Sequence, residues 1–279
     1  MGLQIAKQVD LTKLELKSSD FNKIRSVLYD YCGIDMHEGK EALVKARVLK
    51  RLRMLKMTTF KEYFDYMESD ASGAEFLALV DVLTTNKTSF FRESAHFDFI
   101  RSEVIPKIHG QNVTWWSAGC SSGEEPVSWA ITYLEEKKKG FNGSARILAT
   151  DISSIVLQKA KRAMYSKENM EGMPDIIRRD YFMRSPMDPD MYQVKENVRS
   201  MIRYGRLNLK EAWPMKGPFH IIMCRNVMIY FDRPTQSKLV DRFCDLLAPG
   251  GYLFLGHSES ISGSSHGLKN IKPAVYQKK

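Results

Sequence analysis

The sequence lacks the features that mark several large classes of proteins. It has no apolar run long enough to cross a bilayer, no secretory signal at its N-terminus, and no repeat or low-complexity tract. Its four cysteines are scattered and show neither C-x-x-C spacing nor the spacing of a zinc site. We therefore expect a cytoplasmic protein with reduced thiols, no metal and no direct membrane insertion.

Acidic residues are also in the minority. The 279 residues include 42 Lys and Arg against 33 Asp and Glu, a formal charge of +9, and the hydrophobic share of 43% is ordinary for a globular protein. A basic protein of this size suits an acidic partner, which would be a nucleic acid, a membrane surface or an acidic protein face. The length allows one large domain or two small ones.

The N-terminal part of the chain carries apolar residues at helical spacing. The pattern predicts helices beginning at Ser18, from Glu38 to Met57, from Phe60 to Met67 and from Gly73 to Thr84. We therefore predict a small all-α domain over residues 1–84.

The second of these helices has a basic face. Its cations are an ordinary solvated surface on one interpretation and a docking surface for an acidic partner on the other. Five residues are the candidates: Lys40, Arg47, Lys50, Arg51 and Arg53.

The rest of the chain alternates between strands and helices. Residues 85–111 read as a linker that places aromatic and polar side chains against the next domain. Residues 112–279 predict a mostly parallel sheet with helices on both faces. Short strands at about 181–207 interrupt the alternation and predict a small antiparallel β subdomain.

The stretch from Val113 to Pro126 has the form of a ligand cradle: a buried strand, a loop of small residues and a helix. It lacks the G-x-G-x-x-G of a dinucleotide site, and Glu124 and Glu125 stand where a phosphate would bind. These carboxylates suit a ligand with a positive centre, such as S-adenosylmethionine (SAM), unless they only complement the helix dipole. Asp151 ends the next strand and is well placed for ribose hydroxyls.

Four motifs together resemble one known family. They are Asn86-Lys-Thr-Ser-Phe-Phe-Arg-Glu93, Trp116-Ser-Ala-Gly-Cys-Ser-Ser-Gly-Glu-Glu-Pro126, Ala149-Thr-Asp-Ile152 and Cys224-Arg-Asn-Val-Met-Ile-Tyr-Phe231. In this order and spacing they are similar to the CheR family of chemotaxis receptor methyltransferases. The resemblance implies an all-α N-terminal domain followed by a Rossmann-like, SAM-binding α/β domain with a small antiparallel β subdomain.

The resemblance also implies roles for individual residues. Glu124, in preference to Glu125, would meet the methionine part of SAM, and Asp151 would hold the ribose. Arg92 and Tyr230 would flank the transferred methyl group as the catalytic pair. The full set expected around the cofactor is Asn86, Thr88, Arg92, Glu124, Asp151, Asn208, Leu209, Arg225 and Asn226.

The implied reaction is transfer of the SAM methyl group to glutamates of bacterial chemoreceptors, which leaves S-adenosylhomocysteine. The protein would act in the cytoplasm at membrane-bound receptor arrays, docking on the helical cytoplasmic domain of the receptors. Some family members bind a receptor C-terminal peptide through a Gly-rich turn. Here that turn is Ser185-Pro-Met-Asp-Pro-Asp-Met, without glycine, which favours independence from such a tether.

Two other functions compete with this one. A nucleic-acid methyltransferase would suit the net charge, but amine-methylating enzymes of DNA often carry D/N-P-P-Y/F after the fourth strand. This chain carries Arg225-Asn-Val-Met there, so we expect no nucleic-acid substrate. A non-enzymatic SAM-binding regulator would not need Arg92 and Tyr230, an argument that rests on the resemblance alone.

Overall fold

The computed structural model describes residues 10–108, 110–261 and 267–279. The chain divides into two compact units, and the division falls between Thr85 and Asn86. Each unit has its own secondary structure and is described separately.

The first unit is helical. Its core is formed by the apolar stripes of the helices, with Leu28, Val48, Leu52 and Leu79 almost fully buried. Thr59 starts the third helix with a capping box, in which its side chain accepts from the Glu62 N–H and Glu62 reaches back to the Thr59 N–H. The helices are α1 (Ser18–Cys32), α2 (Glu41–Leu55), α3 (Phe60–Ser69) and α4 (Ala74–Leu83).

Two of the five cations predicted on an exposed face of α2 are instead turned toward α4. Arg47 donates to the backbone oxygens of Leu83 and Thr84, at the carbonyl end of α4, where a cation also complements the helix dipole. Arg51 is 13% exposed and its Nε donates to Oε1 of Glu75 at 2.9 Å. The prediction of exposure is therefore wrong for Arg47 and Arg51.

The other three members of the set, Lys40, Lys50 and Arg53, are exposed. Arg47 and Arg51 are four residues apart and so share one side of the helix, and that side packs against the neighbouring helix. Spacing in the sequence could not show that a neighbouring helix would cover this side.

The second unit is a sheet with helices on both faces. Its strands are β1 (Asn112–Ala118), β2 (Ser144–Asp151), β3 (Met164–Ser166), β4 (Phe182–Arg184), β5 (Met191–Val194), β6 (Ile202–Arg206), β7 (Phe219–Cys224), β8 (Leu247–Leu255), β9 (Leu268–Lys272) and β10 (Val275–Lys278). Its helices are α5 (Ser94–Phe99), α6 (Glu124–Lys138), α7 (Ser154–Arg162), α8 (Asp175–Tyr181), α9 (Glu196–Arg199) and α10 (Arg233–Leu246).

Seven strands form the main sheet in the order β6-β2-β1-β7-β8-β10-β9. The strands from β6 to β8 pair in parallel, whereas β10 is antiparallel to both of its neighbours. From β1 the chain first builds outward through β2 and β6, and it then returns to add β7 and β8 on the other side. The carboxyl ends of β1 and β7 therefore border a topological switch point, where open α/β sheets bind ligands.

The small antiparallel sheet has the order β3-β5-β4 and differs from the predicted insertion. It recruits β3, at Met164–Ser166, from well before the predicted start. It does not contain β6, which pairs in parallel with β2 in the main sheet, with Ile202 opposite Ile147. The assignment of residues 198–207 to antiparallel strands is therefore wrong. The sequence of a five-residue strand does not show which strand it pairs with. In the structure β6 forms the edge of the main sheet next to β2.

The main sheet separates two apolar layers. Consecutive strand residues point to opposite faces, so Trp115 packs into one layer with Trp129, and Trp116 packs into the other with Phe243. Covering both faces buries β1 almost completely and leaves its carboxyl end as the place where the chain can meet a ligand.

Candidate functional site

The loop that follows β1 is folded back on the end of β2. The backbone N–H groups of Gly119 and Cys120 both donate to the carbonyl oxygen of Thr150, at 2.8 and 2.9 Å. Gly119 has φ +89°, and a Cβ at this position would lie 2.4 Å from Cγ2 of Val227. Only glycine fits here, because the loop from β1 passes directly against the loop from β7.

Asp151 is fixed at the carboxyl end of β2 by the same loop. Its Oδ2 accepts from the Ser121 N–H at 2.8 Å, and its Oδ1 accepts from the Ser153 N–H at 2.9 Å. Ser121 adopts φ 49°, a left-handed conformation that a non-glycine residue rarely takes. The buried carboxylate is thus preorganised by two backbone donors at the end of β2, beside the switch point.

The two consecutive glutamates at the start of α6 have different partners. Glu124, which is 3% exposed, accepts from the Ser122 hydroxyl at 2.7 Å. Glu125 accepts from the Ser117 hydroxyl at 2.7 Å and pairs with Nη1 of Arg225 at 3.4 Å. Burial raises the pKa of both carboxyls above the ordinary value for glutamate. Glu125 thus has an arginine as counter-ion, whereas Glu124 is held by a hydroxyl and is the better candidate for a cationic ligand.

The segment after Thr85 lies on this loop. The carbonyl oxygen of Asn86 accepts from the Ser121 hydroxyl at 2.9 Å, and the Phe91 N–H donates to the Ser128 hydroxyl at 3.0 Å. The guanidinium of Arg92 donates to the carbonyl oxygen of Lys87 at 3.0 Å. These contacts place Asn86 at the cradle, and they fold the segment between Lys87 and Arg92 back on itself.

Arg225, the first residue after β7, is the centre of an ionic network. It is 6% exposed, pairs with Glu93 at 3.2 Å as well as with Glu125, and donates to the backbone oxygen of Arg92. Asn226, with φ 57°, donates through Nδ2 to the other oxygen of Glu93 at 3.4 Å. Arg225 and Asn226 therefore connect the β7 loop to the segment that carries Arg92.

Glu93 was not among the predicted site residues, yet it bridges three segments of the chain. Besides Arg225 and Asn226, it accepts from the His257 N–H at 3.3 Å. Burial alone would raise its pKa, but the charge of Arg225 and the hydrogen bond from His257 outweigh burial and leave the pKa below the ordinary value for glutamate. The position of Glu93 directly after Phe90-Phe-Arg92 in the motif was the feature of the sequence that could have indicated a role in the site.

Glu93, His96 and His257 lie close enough together to be considered as a metal site. One atom of each residue that could coordinate a metal ion lies within 4.8 Å of the other two. His96 is buried, which lowers its pKa to about 4 and keeps it neutral. The guanidinium of Arg225 already supplies the positive charge beside the carboxylate of Glu93, so a metal ion at this place would compete with Arg225.

Three of the remaining predicted residues, Asn208, Leu209 and Tyr230, follow the carboxyl ends of sheet strands. Asn208 and Leu209 follow β6, where Asn208 accepts from the Lys210 N–H at 3.1 Å and Leu209 packs into the core layer of Trp116. Tyr230 is half-buried in the helical turn Met228–Tyr230 after β7. Thr88 is half-buried in the segment before Arg92.

Comparisons with known proteins identify the family. The family model described as "CheR methyltransferase, SAM binding domain" matches residues 86–276, and "CheR methyltransferase, all-alpha domain" matches residues 19–84. The chain belongs to the CheR family. Chemotaxis protein methyltransferases from Borreliella burgdorferi and Escherichia coli are both 36% identical to it. The alignments cover 97% and 90% of this chain and 96% and 87% of those relatives.

Family membership confirms the fold class and the cofactor predicted from the sequence: the protein is a SAM-dependent methyltransferase of chemotaxis. The site fits SAM on its own terms. The loop is closed to any side chain at Gly119, and the buried carboxylates of Asp151 and Glu124 suit a ligand that carries hydroxyl and cationic groups. In the part of the chain that the structure describes, no helix has the length and hydropathy needed to cross a bilayer.

Proposed function

We propose that this CheR-family protein transfers the methyl group of SAM to glutamate side chains of bacterial chemoreceptors and so forms methyl esters. The observation that carries the proposal is the network of Arg225 with Glu93 and Glu125 at the carboxyl end of β7. An amine-methylating enzyme needs acceptors there for the N–H groups of its substrate. Here the network instead fixes the backbone of Arg92 beside the β7 loop, and the half-buried guanidinium of Arg92 suits a carboxylate.

The acceptor requires no general base. A glutamate has an ordinary pKa of about 4.3, so its side chain is already ionised at neutral pH. When bound, SAM supplies an electrophilic methyl group on a sulfonium. Opposite charges are neutralised as the methyl group is transferred, so water opposes the reaction, and the residues of the site contribute by alignment and by exclusion of water.

The roles proposed for individual residues are those that membership of the family implies. Arg92 positions the acceptor carboxylate without binding it tightly enough to suppress its nucleophilicity, and Tyr230 orients the acceptor or the sulfonium. Asp151 holds the ribose and Glu124 holds the α-ammonium group of the methionine end. The other residues of the proposed pocket complete its walls: Asn86, Thr88, Asn208, Leu209, Arg225 and Asn226.

The exposed part of the α2 face is proposed to meet the receptor. Lys40, Lys50 and Arg53 would face a receptor helix rich in glutamate, at the cytoplasmic side of the receptor array. Arg47 and Arg51 are no longer part of this proposal, because their guanidinium groups bind within the helical unit. We keep the expectation of tether independence, since the β4–β5 connection contains two prolines and no glycine.

The decisive experiment is the transfer of labelled methyl from SAM to receptor-containing membranes. We expect label in the receptor band and its release as methanol by mild base, because a glutamyl methyl ester is base-labile. Base-stable label, or label in added nucleic acid in place of receptor, would instead support an amine-methylating enzyme. A protein that binds SAM and transfers nothing to any acceptor would be a regulator.

A further inference from the structure

We infer that Glu259 is a positioning residue for the methyl transfer, an inference that rests on the proposed function. The side chain comes from the turn after β8 and is 7% exposed. It lies among the backbone donors of the segment that begins at Arg225. It is therefore placed to fix the conformation of the segment that carries Arg225, Asn226 and Tyr230.

The carboxylate accepts three backbone N–H groups. Its Oε2 accepts from Asn226 at 2.8 Å and from Gly256 at 2.6 Å, and its Oε1 accepts from Ile229 at 3.1 Å. Two of these donors belong to the β7 loop and the third belongs to the end of β8. A single buried anion thus joins the carboxyl ends of two neighbouring parallel strands.

The loop has a backbone conformation that hydrogen bonds can hold. Asn226 sits at φ 57°, in the left-handed region, which asparagine adopts more readily than other non-glycine residues but which is still sparsely populated. The N–H of this residue is one of the three that Glu259 binds. Charge-assisted hydrogen bonds are stronger than neutral ones, which suits a carboxylate to this task.

The packing around the carboxylate leaves little room for another arrangement. A Cβ on Gly256 would lie 2.6 Å from Nδ2 of Asn226 and 2.9 Å from Oε2 of Glu259. Both oxygens face N–H donors, so a glutamine at position 259 would have to turn its amide NH₂ toward at least one of them. A glutamine would therefore fit the space at position 259, but its NH₂ group would face a backbone N–H and could not accept a hydrogen bond from it.

The arrangement has a consequence for catalysis. Tyr230 follows Ile229 directly, so the N–H bound by Oε1 lies one residue before the proposed catalytic tyrosine. A misplacement of about 1 Å at a reacting centre can cost about 100-fold in rate. Loosening the loop should therefore lower kcat, while the SAM contacts at Asp151 and Glu124 remain.

The first test compares Glu259→Gln with Glu196→Gln, a matched change at an exposed glutamate of α9. For receptor methylation we expect kcat to fall about 10- to 100-fold in Glu259→Gln. The Kd for SAM should rise by a clearly smaller factor, because Asn226 lines the proposed pocket but Asp151 and Glu124 are held by other residues. Glu259→Asp should recover part of kcat, since it keeps the charge. Wild-type kcat in a folded Glu259→Gln protein would overturn the inference, as would equal losses of kcat and SAM affinity.

The second test uses the unmodified protein and so does not depend on the folding of a variant. Hydrogen exchange should show the amides of Asn226, Ile229 and Gly256 strongly protected relative to the neighbouring exposed amides. Exchange of these three at unprotected rates would overturn the inference. This measurement needs no acceptor, so it separates failure of the positioning role from failure of the proposed substrate: wild-type protein that methylates no receptor would refute only the latter.

Discussion

Asp151 shows how much of the site depends on single side chains. The carboxylate binds two backbone N–H groups of the protein and has the further proposed task of binding the ribose. Its position at the end of β2 follows from the strand register, and its orientation follows from the backbone of Ser121 and Ser153. Both tasks require an acceptor, and neither can be performed by an apolar side chain.

We predict that Asp151→Ala weakens SAM binding by about 1.5–3 kcal/mol, through loss of charge-assisted hydrogen bonds. Isothermal titration calorimetry on the purified variant measures the change. Asp175→Ala, which removes an exposed aspartate of α8, is the control and should bind SAM normally. Unchanged affinity in a folded Asp151→Ala protein would remove Asp151 from the cofactor site.

Glu124 predicts a pH dependence of cofactor binding. A cationic ligand binds the ionised carboxylate, and burial raises the pKa of this group above the ordinary value for glutamate. As the pH falls through the raised pKa, the carboxylate is protonated and affinity for SAM is lost, at higher pH than for an exposed glutamate. Calorimetric titrations across pH 5 to 8 would measure this loss.

Glu124→Gln is the diagnostic variant for this effect. It should bind SAM more weakly at neutral pH and lose the pH dependence, whereas Glu103→Gln at an exposed position should retain the wild-type profile. If Glu124→Gln keeps the wild-type pH dependence, the titrating group lies elsewhere.

At the scale of one element, α2 divides its cations between two tasks. Arg47 and Arg51 bind groups of the helical unit, and the buried Glu75 would be left without its partner if Arg51 were replaced. Reversing the charge at position 47 or 51 would therefore test stability as well as docking. The exposed cations of this face can be changed without that complication.

We predict that the triple variant Lys40→Glu, Lys50→Glu and Arg53→Glu lowers the rate of receptor methylation at low receptor concentration and leaves SAM binding unchanged. Each exposed pair contributes only about 0–1 kcal/mol, so the three must be reversed together. Methylation rates over a series of salt concentrations measure the effect. Added salt should slow the wild type and narrow the difference, since screening acts beyond roughly 8–10 Å.

A triple variant with the same change in net charge supplies the control. Lys167, Lys216 and Lys269 are exposed and lie outside α2, so their reversal to glutamate should leave the methylation rate near that of the wild type. Equal loss in both triple variants would point to net charge alone. Wild-type rates in the α2 variant at every salt concentration would make this face an ordinary solvated surface.

At the scale of the molecule, the chain is two compact units, and every described contact of the candidate site lies within the second. Ligand binding stabilises the region that forms the site. A ligand present at 100 times its Kd adds about 2.7 kcal/mol to the free energy of unfolding of the species that binds it.

We therefore predict that saturating SAM slows hydrogen exchange in the peptides that contain Gly119–Glu125, Asp151 and Arg225–Tyr230. Mass spectrometry of exchange with and without SAM measures this protection. Peptides from α1 and α3 should show less change and serve as the internal reference. Protection confined to α1 and α3 would contradict a site built on the carboxyl ends of β1, β2 and β7.

Local patterns in the sequence determined the elements of this fold. Apolar residues at helical spacing predicted helices α1 to α4, and the strand, loop and helix around Gly119 were visible in consecutive residues. The fold class and the cofactor, both predicted, are confirmed. Helices and tight turns can be predicted from the sequence because their hydrogen bonds join residues that are close in the chain.

Only the tertiary structure decided which distant groups meet. Arg225 and Glu93 are 132 residues apart, Glu259 and Asn226 are 33 apart, and Arg51 and Glu75 are 24 apart, and no local pattern pairs them. β6 likewise joined the main sheet because β2 offered an unpaired parallel edge. Buried charges and strand edges must find partners wherever the packed chain brings them, and that depends on the topology of the whole sheet and not on the neighbouring residues.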